Sequence, residues 1–194
     1  MKTSAFFALV VAAVGTLAAS VALEEARDAP VEKRANCGST ITPIYRAYSA
    51  SVQDHFYTTK ASDATGASGY TTEGVAAAVF GTQQGDTLPL YRMYSSAAKD
   101  HFYTTDPVER DYFRTNNGYV LEGNAAFVYT TQICDSIPLY RLYAANVKDH
   151  LYTTSRYERD SALALGFLDQ GIAAYVPGPG VINADIPWST CNAH

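Results

Sequence analysis

Pro138-Leu-Tyr-Arg-Leu-Tyr143, followed after a five-residue connection by Asp149-His-Leu-Tyr-Thr-Thr154, decides how this chain is read. The pair occurs three times. The earlier copies are Pro43-Ile-Tyr-Arg-Ala-Tyr48 with Asp54-His-Phe-Tyr-Thr-Thr59, and Pro89-Leu-Tyr-Arg-Met-Tyr94 with Asp100-His-Phe-Tyr-Thr-Thr105. Copies begin 46 and then 49 residues apart, a period that marks an array of supersecondary units. Each copy continues with a Gly-aromatic pair (Gly69-Tyr70, Gly118-Tyr119, Gly166-Phe167). A Glu-Gly or Gln-Gly pair follows (Glu73-Gly74, Glu122-Gly123, Gln170-Gly171), then a run of small apolar residues.

Within a copy, the aromatic and β-branched segments read as two strands, with proline at the start, where its missing N–H costs least. The connections Ser49 to Gln53, Ser95 to Lys99 and Ala144 to Lys148 make the pair a hairpin. Alternation in the second strand sets Phe56, Phe102 and Leu151 opposite to His55, His101 and His150. The apolar side is then the expected core side, with the histidines facing outward or into a cleft. After Thr-Thr, Asp106-Pro107-Val108-Glu109 supplies a cap, an N1 proline and an N3 glutamate, and Ser155-Arg-Tyr-Glu158 is a capping box. Gly118 and Gly166 stand where helices stop, which predicts helices over about Pro107–Asn117 and Arg156–Leu165. In the first copy Lys60 to Ser68 is shorter and carries Gly66, which weakens its helix to little more than a turn. The remainder reads as two strands broken at the Glu-Gly pair, or as one bulged strand.

Up to four strands and one short helix per copy predict a β-rich, closed, pseudo-threefold domain of β-trefoil-like form, with a three-bladed propeller-like ring as the alternative. Closure removes the edges that three open hairpins would expose. The copies span about 42–87, 88–136 and 137–180, and 181–194 reads as a closing segment in which Asp185-Ile-Pro-Trp188 resembles the lead-in to a further copy.

The ends carry addresses. Met1-Lys2 and the uncharged apolar run Phe6 to Ala19, ending in Ser20-Val21-Ala22, read as a secretory signal peptide over 1–22. The run is shorter than the ~20 residues that span a bilayer. Residues 23–34 end in Lys33-Arg34 and read as a pro-segment cut by a dibasic processing protease, which points to a fungal secretory pathway. The processed chain, Ala35 to His194, keeps the net charge of −5 of the whole. That mild acidity gives no electrostatic footprint for nucleic acid or anionic lipid, and no membrane insertion is expected after processing. Of Cys37, Cys134 and Cys191, two should pair in an oxidising compartment. Cys37 with Cys191 would tie the ends together and is the favoured pair, with Cys134 able to replace either. No two cysteines have zinc-ligand spacing.

The chemistry-bearing residues recur with the repeat. Asp54-His55, Asp100-His101 and Asp149-His150 could form a polar cluster or bring three imidazoles together as metal ligands. The simpler reading, which is preferred, has Asp closing its hairpin through backbone N–H groups while His packs beside it. No metal and no cofactor is therefore expected. Arg46, Arg92 and Arg141 each sit between two tyrosines. They either pair with a carboxylate of their own copy, stems covering tyrosine rings, or line a groove with Tyr48, Tyr94 and Tyr143. Flat rings with a charged rim suit sugars, and three equal weak sites would gain by avidity on a repetitive glycan. A hydrolytic carboxylate pair built on Glu73 or Glu122 is the rival reading.

The whole pattern resembles a repeat of secreted fungal and bacterial proteins catalogued as a domain of unknown function and often appended to extracellular hydrolases. The resemblance covers about Thr42 to Val176. The first copy departs from it, lacking the helix pair Glu109-Arg110 or Glu158-Arg159. It implies an extracellular, non-catalytic module, and it brings no catalytic residues. The expectation is a secreted, extracellular, lectin-like binding module for a glycan or cell-surface polysaccharide, with a protein-binding effector or inhibitor, or a small hydrolase, as alternatives.

Overall fold

In the computed structural model, which describes residues 35–179, every copy folds as a hairpin, a helix and a returning strand. The first copy contains β1 (Ile41–Ser49), β2 (Asp54–Thr58), α1 (Ala61–Gly66) and β3 (Thr71–Phe80). The second contains β4 (Leu88–Ser95), β5 (Asp100–Thr104), α2 (Pro107–Asn116) and β6 (Val120–Val128). The third contains β7 (Ile137–Ala144), β8 (Asp149–Thr153), α3 (Arg156–Ala164) and β9 (Leu168–Val176). The expected signal peptide, pro-segment and closing segment, Cys191 included, lie outside the described residues. Among the described residues no helix is long and apolar enough to cross a membrane.

The fold is β-rich. A six-stranded sheet, ordered β2-β1-β3-β6-β4-β5, curls as a half-barrel, and a three-stranded sheet is ordered β8-β7-β9. All pairings are antiparallel, and in each copy the hairpin's first strand lies between the other two. Copies one and two join at the pair Phe80–Phe127, and copies two and three at Tyr129–Tyr175, whose backbone N–H and C=O groups bond both ways at 2.9 and 2.8 Å. Each copy has three strands, where the sequence allowed up to four. The stretch broken by Glu-Gly is one strand with a bulge: β6 shifts register against β4 between Leu90 and Tyr91 and between Arg92 and Met93. Gly123 sits there at φ +117°, a conformation a side chain resists, so the chain places glycine where the ladder must slip.

Helix signals are honoured in part. Asp106 accepts from the Val108 N–H at 2.8 Å and Ser155 from the Glu158 N–H at 3.2 Å. The capping box at Ser155 closes only halfway. The Ser155 N–H donates to the Thr153 hydroxyl at 3.0 Å, which frees the Glu158 carboxylate to reach elsewhere. α1, six residues long, starts at Lys60, which offers no side-chain cap.

The main core gathers Ile44, Tyr57, Val79, Leu90, Tyr103, Val128, Leu139, Tyr152 and Val176 with the alanines of the returning strands. Small residues there let three bulky tyrosines meet in one place. The histidine face proves to be an inner one. His55 and Tyr57 share a strand face, as do His101 with Tyr103 and His150 with Tyr152, and these tyrosines point at the common centre. His101 and His150 are buried and His55 is partly so; alternation offered an outward or a cleft-facing placement, and the outward one is corrected.

Cys37 bonds to Cys134 across 97 residues of chain, not to Cys191. The reason lies in how the leading segment is seated. Asn36 exchanges two 2.8 Å hydrogen bonds with Asp86, and the Gln84 side chain bonds Ser39 and Thr40. Gly85 passes so close to the Asn36 carbonyl that a Cβ would fall 1.9 Å from its oxygen. The Gly38 N–H then donates to the Tyr129 hydroxyl at 3.3 Å, which brings Cys37 beside the turn that carries Cys134.

Candidate functional site

Tyr57, Tyr103 and Tyr152 lock the three hairpins together. Each hydroxyl donates to the backbone carbonyl of the next tyrosine and accepts a backbone N–H from that same residue. Tyr57 bonds Tyr152, Tyr152 bonds Tyr103, and Tyr103 bonds Tyr57, six bonds of 2.7–3.0 Å in a cycle. The rings meet edge to face at 5.3–5.6 Å. Burial pushes all three phenols well above their ordinary value of 10.0, so they stay neutral donors.

One residue pair nearer the turn, the aspartates and histidines form a second cycle. A hairpin residue in left-handed conformation (Gln53, Lys99 or Lys148, φ 57–63°) turns each aspartate inward, and all three are buried. Asp54 accepts the His101 backbone N–H at 2.8 Å and its Nδ1–H at 2.6 Å. Asp100 holds His150 likewise at 2.9 and 2.6 Å, and Asp149 holds His55 at 2.9 and 2.7 Å. The aspartates therefore bond backbone N–H groups as expected, but those of the neighbouring copy, not of their own hairpin. Tyr70 donates its hydroxyl to Asp54, and Tyr119 donates to Asp100 at 2.5 Å. Phe167, the counterpart in the third copy, has no hydroxyl, and Asp149 goes without.

The carboxylates, not the imidazoles, converge. Oxygens of Asp54, Asp100 and Asp149 lie within 4.8 Å of one another, an all-oxygen set of the kind a hard cation takes. Each carboxylate here faces an N–H and an imidazole instead, which offsets the burial of three like charges.

Outside this ring, Tyr48, Tyr94 and Tyr143 each lay one face on a histidine (His55, His101, His150) at 4.5–4.6 Å between centroids and remain half-buried. The arginine two residues earlier sits beside them, and here the copies diverge. Arg46 is gripped twice: its Nε donates to Glu73 at 2.7 Å, and a terminal nitrogen donates to Glu158 of the third copy's helix at 2.8 Å. Arg141 is held by Glu109 of the second copy's helix through both terminal nitrogens, at 3.0 and 2.8 Å. Among the described residues its buried Nε has no hydrogen-bond partner, and Gln170 stands where the other copies have glutamate. Arg92 has its own copy's Glu122 on Nε at 2.9 Å. The Glu73 and Glu122 carboxylates also lie 3.9 and 3.8 Å from Nε2 of His55 and His101. Burial works to raise Glu109 and Glu158, but hydrogen bonds from Arg141 and Thr104, and from Arg46 and Thr153, outweigh it and hold both below the usual glutamate value.

The aspartates and histidines singled out by sequence thus form one cycle where the hairpins meet, and the singled-out arginines and tyrosines form a belt around it. Arg46 and Arg92 take a glutamate of their own copy, as read. The equality of the three sites does not hold. Sequence reasoning missed the central tyrosines, which sit in the motif itself, and the helix glutamates that cross between copies. The signal for the latter was the missing Glu-Arg pair in the first copy. No curated protein and no solved structure matches the chain. Through residues 43–177 it belongs to the family described as a domain of unknown function (DUF5648).

Proposed function

We propose that this domain is a secreted, non-catalytic module that binds glycans through the belt of Tyr48, Tyr94 and Tyr143 and the arginines beside them. The observation that carries the reading is a half-buried tyrosine set against a histidine at 4.5–4.6 Å between ring centroids, with an arginine next to it, in all three copies. In two of them the arginine is gripped by a glutamate of its own copy, and in the third by Glu109 of another copy. A rigid aromatic edge with charged donors and acceptors on its rim suits the apolar face and hydroxyls of a sugar. Glu73 and Glu122, the residues a hydrolase would draw on, are tied to Arg46 and Arg92. That supports binding over hydrolysis, since both carboxylates already serve ion pairs within their own copies. Three strands per copy and the two cyclic bond sets favour a three-bladed ring over a trefoil as the finer description of the architecture.

A polysaccharide pull-down and a glycan array with the purified chain test the proposal. Tyr94→Ala should abolish retention with the fold intact by circular dichroism. Retention unchanged in that variant, or no retention on any glycan, overturns it. A protein partner is the second reading, favoured by the exposed Val120, Tyr157, Leu165 and Leu168.

A further inference from the structure

The three arginines of the belt are the same residue in the same strand, so the chain itself supplies the comparison. At Arg46 and Arg141 the outer edge of the guanidinium is closed by a helix glutamate from another copy, Glu158 and Glu109. Following the same order around the belt, the helix that should reach Arg92 is α1. Its residue at the position of Glu109 and Glu158, three after the cap, is Asp63. Aspartate is one methylene shorter, its helix is only six residues long, and Asp63 points to solvent as an exposed residue. Among the described residues the terminal nitrogens of Arg92 have no acceptor, while its Nε is pinned to Glu122 at 2.9 Å.

The surroundings of Arg92 are those of a prepared seat. Its guanidinium lies over the Phe56 ring, 5.1 Å from the centroid, which in turn contacts His101 at 5.0 Å. Pinned at Nε and laid on a ring, the guanidinium presents its two terminal N–H groups as a fixed fork, the geometry that pairs with a carboxylate. Phe102, which holds the same place under Arg141, is fully buried, whereas Phe56 keeps part of its surface exposed.

We propose that Arg92 is the seat of a ligand carboxylate, filling the place that Glu109 and Glu158 fill at the other two arginines, and that the ligand is a sugar bearing one carboxylate, a uronate. The identity of the ligand rests on the glycan reading above. Glu122, beside the seat, accepts hydroxyl donors and repels a second negative charge. This and the net charge of −5 favour a singly charged sugar over an acidic peptide. One seat per chain follows, since Arg46 and Arg141 are already closed.

The test is calorimetric or NMR titration of the purified chain with glucuronate, with glucose as the neutral counterpart, and with a short glutamate-containing peptide. Glucuronate should bind at one site and glucose at least about tenfold more weakly, the loss expected for one charge-assisted pair. Arg92→Met should weaken glucuronate by a similar factor. Asp63→Glu, a surface change that restores the missing glutamate, should do the same without disturbing the fold, and so separates a closed seat from a damaged one. Equal binding of glucose and glucuronate, unmoved by either variant, overturns the uronate seat and leaves the glycan reading standing. Binding of the peptide without either sugar overturns both, and binding of no probe overturns the uronate seat, with the glycan array above deciding the glycan reading.

Discussion

The hydroxyl of Tyr57 shows what one atom of the central cycle carries. It donates to the Tyr152 carbonyl and accepts the Tyr152 N–H, both at 2.8 Å, in a buried place. Tyr57→Phe keeps the ring and removes both bonds. Each buried backbone group left unpaired costs about 1–3 kcal/mol, a large share of the ~5–15 kcal/mol that holds a domain together. Equilibrium denaturation should show that loss at unchanged m-value, and a loss below about 0.5 kcal/mol would mean the backbone rearranges to satisfy itself. The third copy offers the opposite experiment. Tyr70 and Tyr119 each give Asp54 or Asp100 a hydroxyl that Phe167 cannot give Asp149. Phe167→Tyr should therefore raise stability by about 1 kcal/mol, read by the same denaturation curve, and no gain would mean that Asp149 is already satisfied. These roles were half legible. The sequence displayed Phe167 against two tyrosines, but nothing in a period-two pattern says that an Asp will bond another copy, because that partner lies 47 to 94 residues away.

At the scale of the element, legibility followed local rules. α2 and α3 were readable because Asp106, Pro107 and Ser155 act on their own helices, and their observed ends fall within a residue of the expected ones. The returning strand was less so. Glycine announced a break, and only pairing against β4 shows the break to be a bulge. The bulge has a use, since it stands directly after the residue, Glu73 or Glu122, that grips the arginine of the middle strand. In the third copy the bulge persists at Gly171, φ +84°, while the carboxylate is replaced by Gln170. Gln170→Glu should give the buried Arg141 Nε the acceptor it lacks, raising the denaturation midpoint by the equivalent of about 0.5–1 kcal/mol, discounted for the exposure of the new side chain. A neutral or lower midpoint would mean that the bulged strand does not bring residue 170 to Arg141 as it brings Glu73 to Arg46.

At the scale of the molecule, the repeat foretold three like units but not how they grip one another, since every bond between copies is long-range. The disulfide shows the same limit: a bond tying the two ends of the chain favoured Cys191, and the seating of Asn36 against Asp86 selected Cys134. The grip between copies should set the pH range of the fold. Glu158 holds the third copy to Arg46 of the first, and Glu109 holds the second to Arg141 of the third, both with affinities for protons below the ordinary glutamate value of 4.5. A depressed carboxylate contributes stability that is full above its unfolded value and is lost as pH falls through the folded one. The acid limb should therefore begin below about pH 4.5. At the other end Tyr57, Tyr103 and Tyr152 are raised above 10.0, so their contribution is full below pH 10 and drains away as pH rises beyond it. Denaturation midpoints measured across pH should fall away below the first limit and above the second. Glu158→Gln should lower the midpoint at neutral pH and shallow the acid limb, leaving the alkaline limb as it was. The tyrosinate absorbance of the three central phenols should appear only together with unfolding. If they ionise reversibly near pH 10 in the folded chain, the hairpins are not closed around them as the hydrogen bonds require.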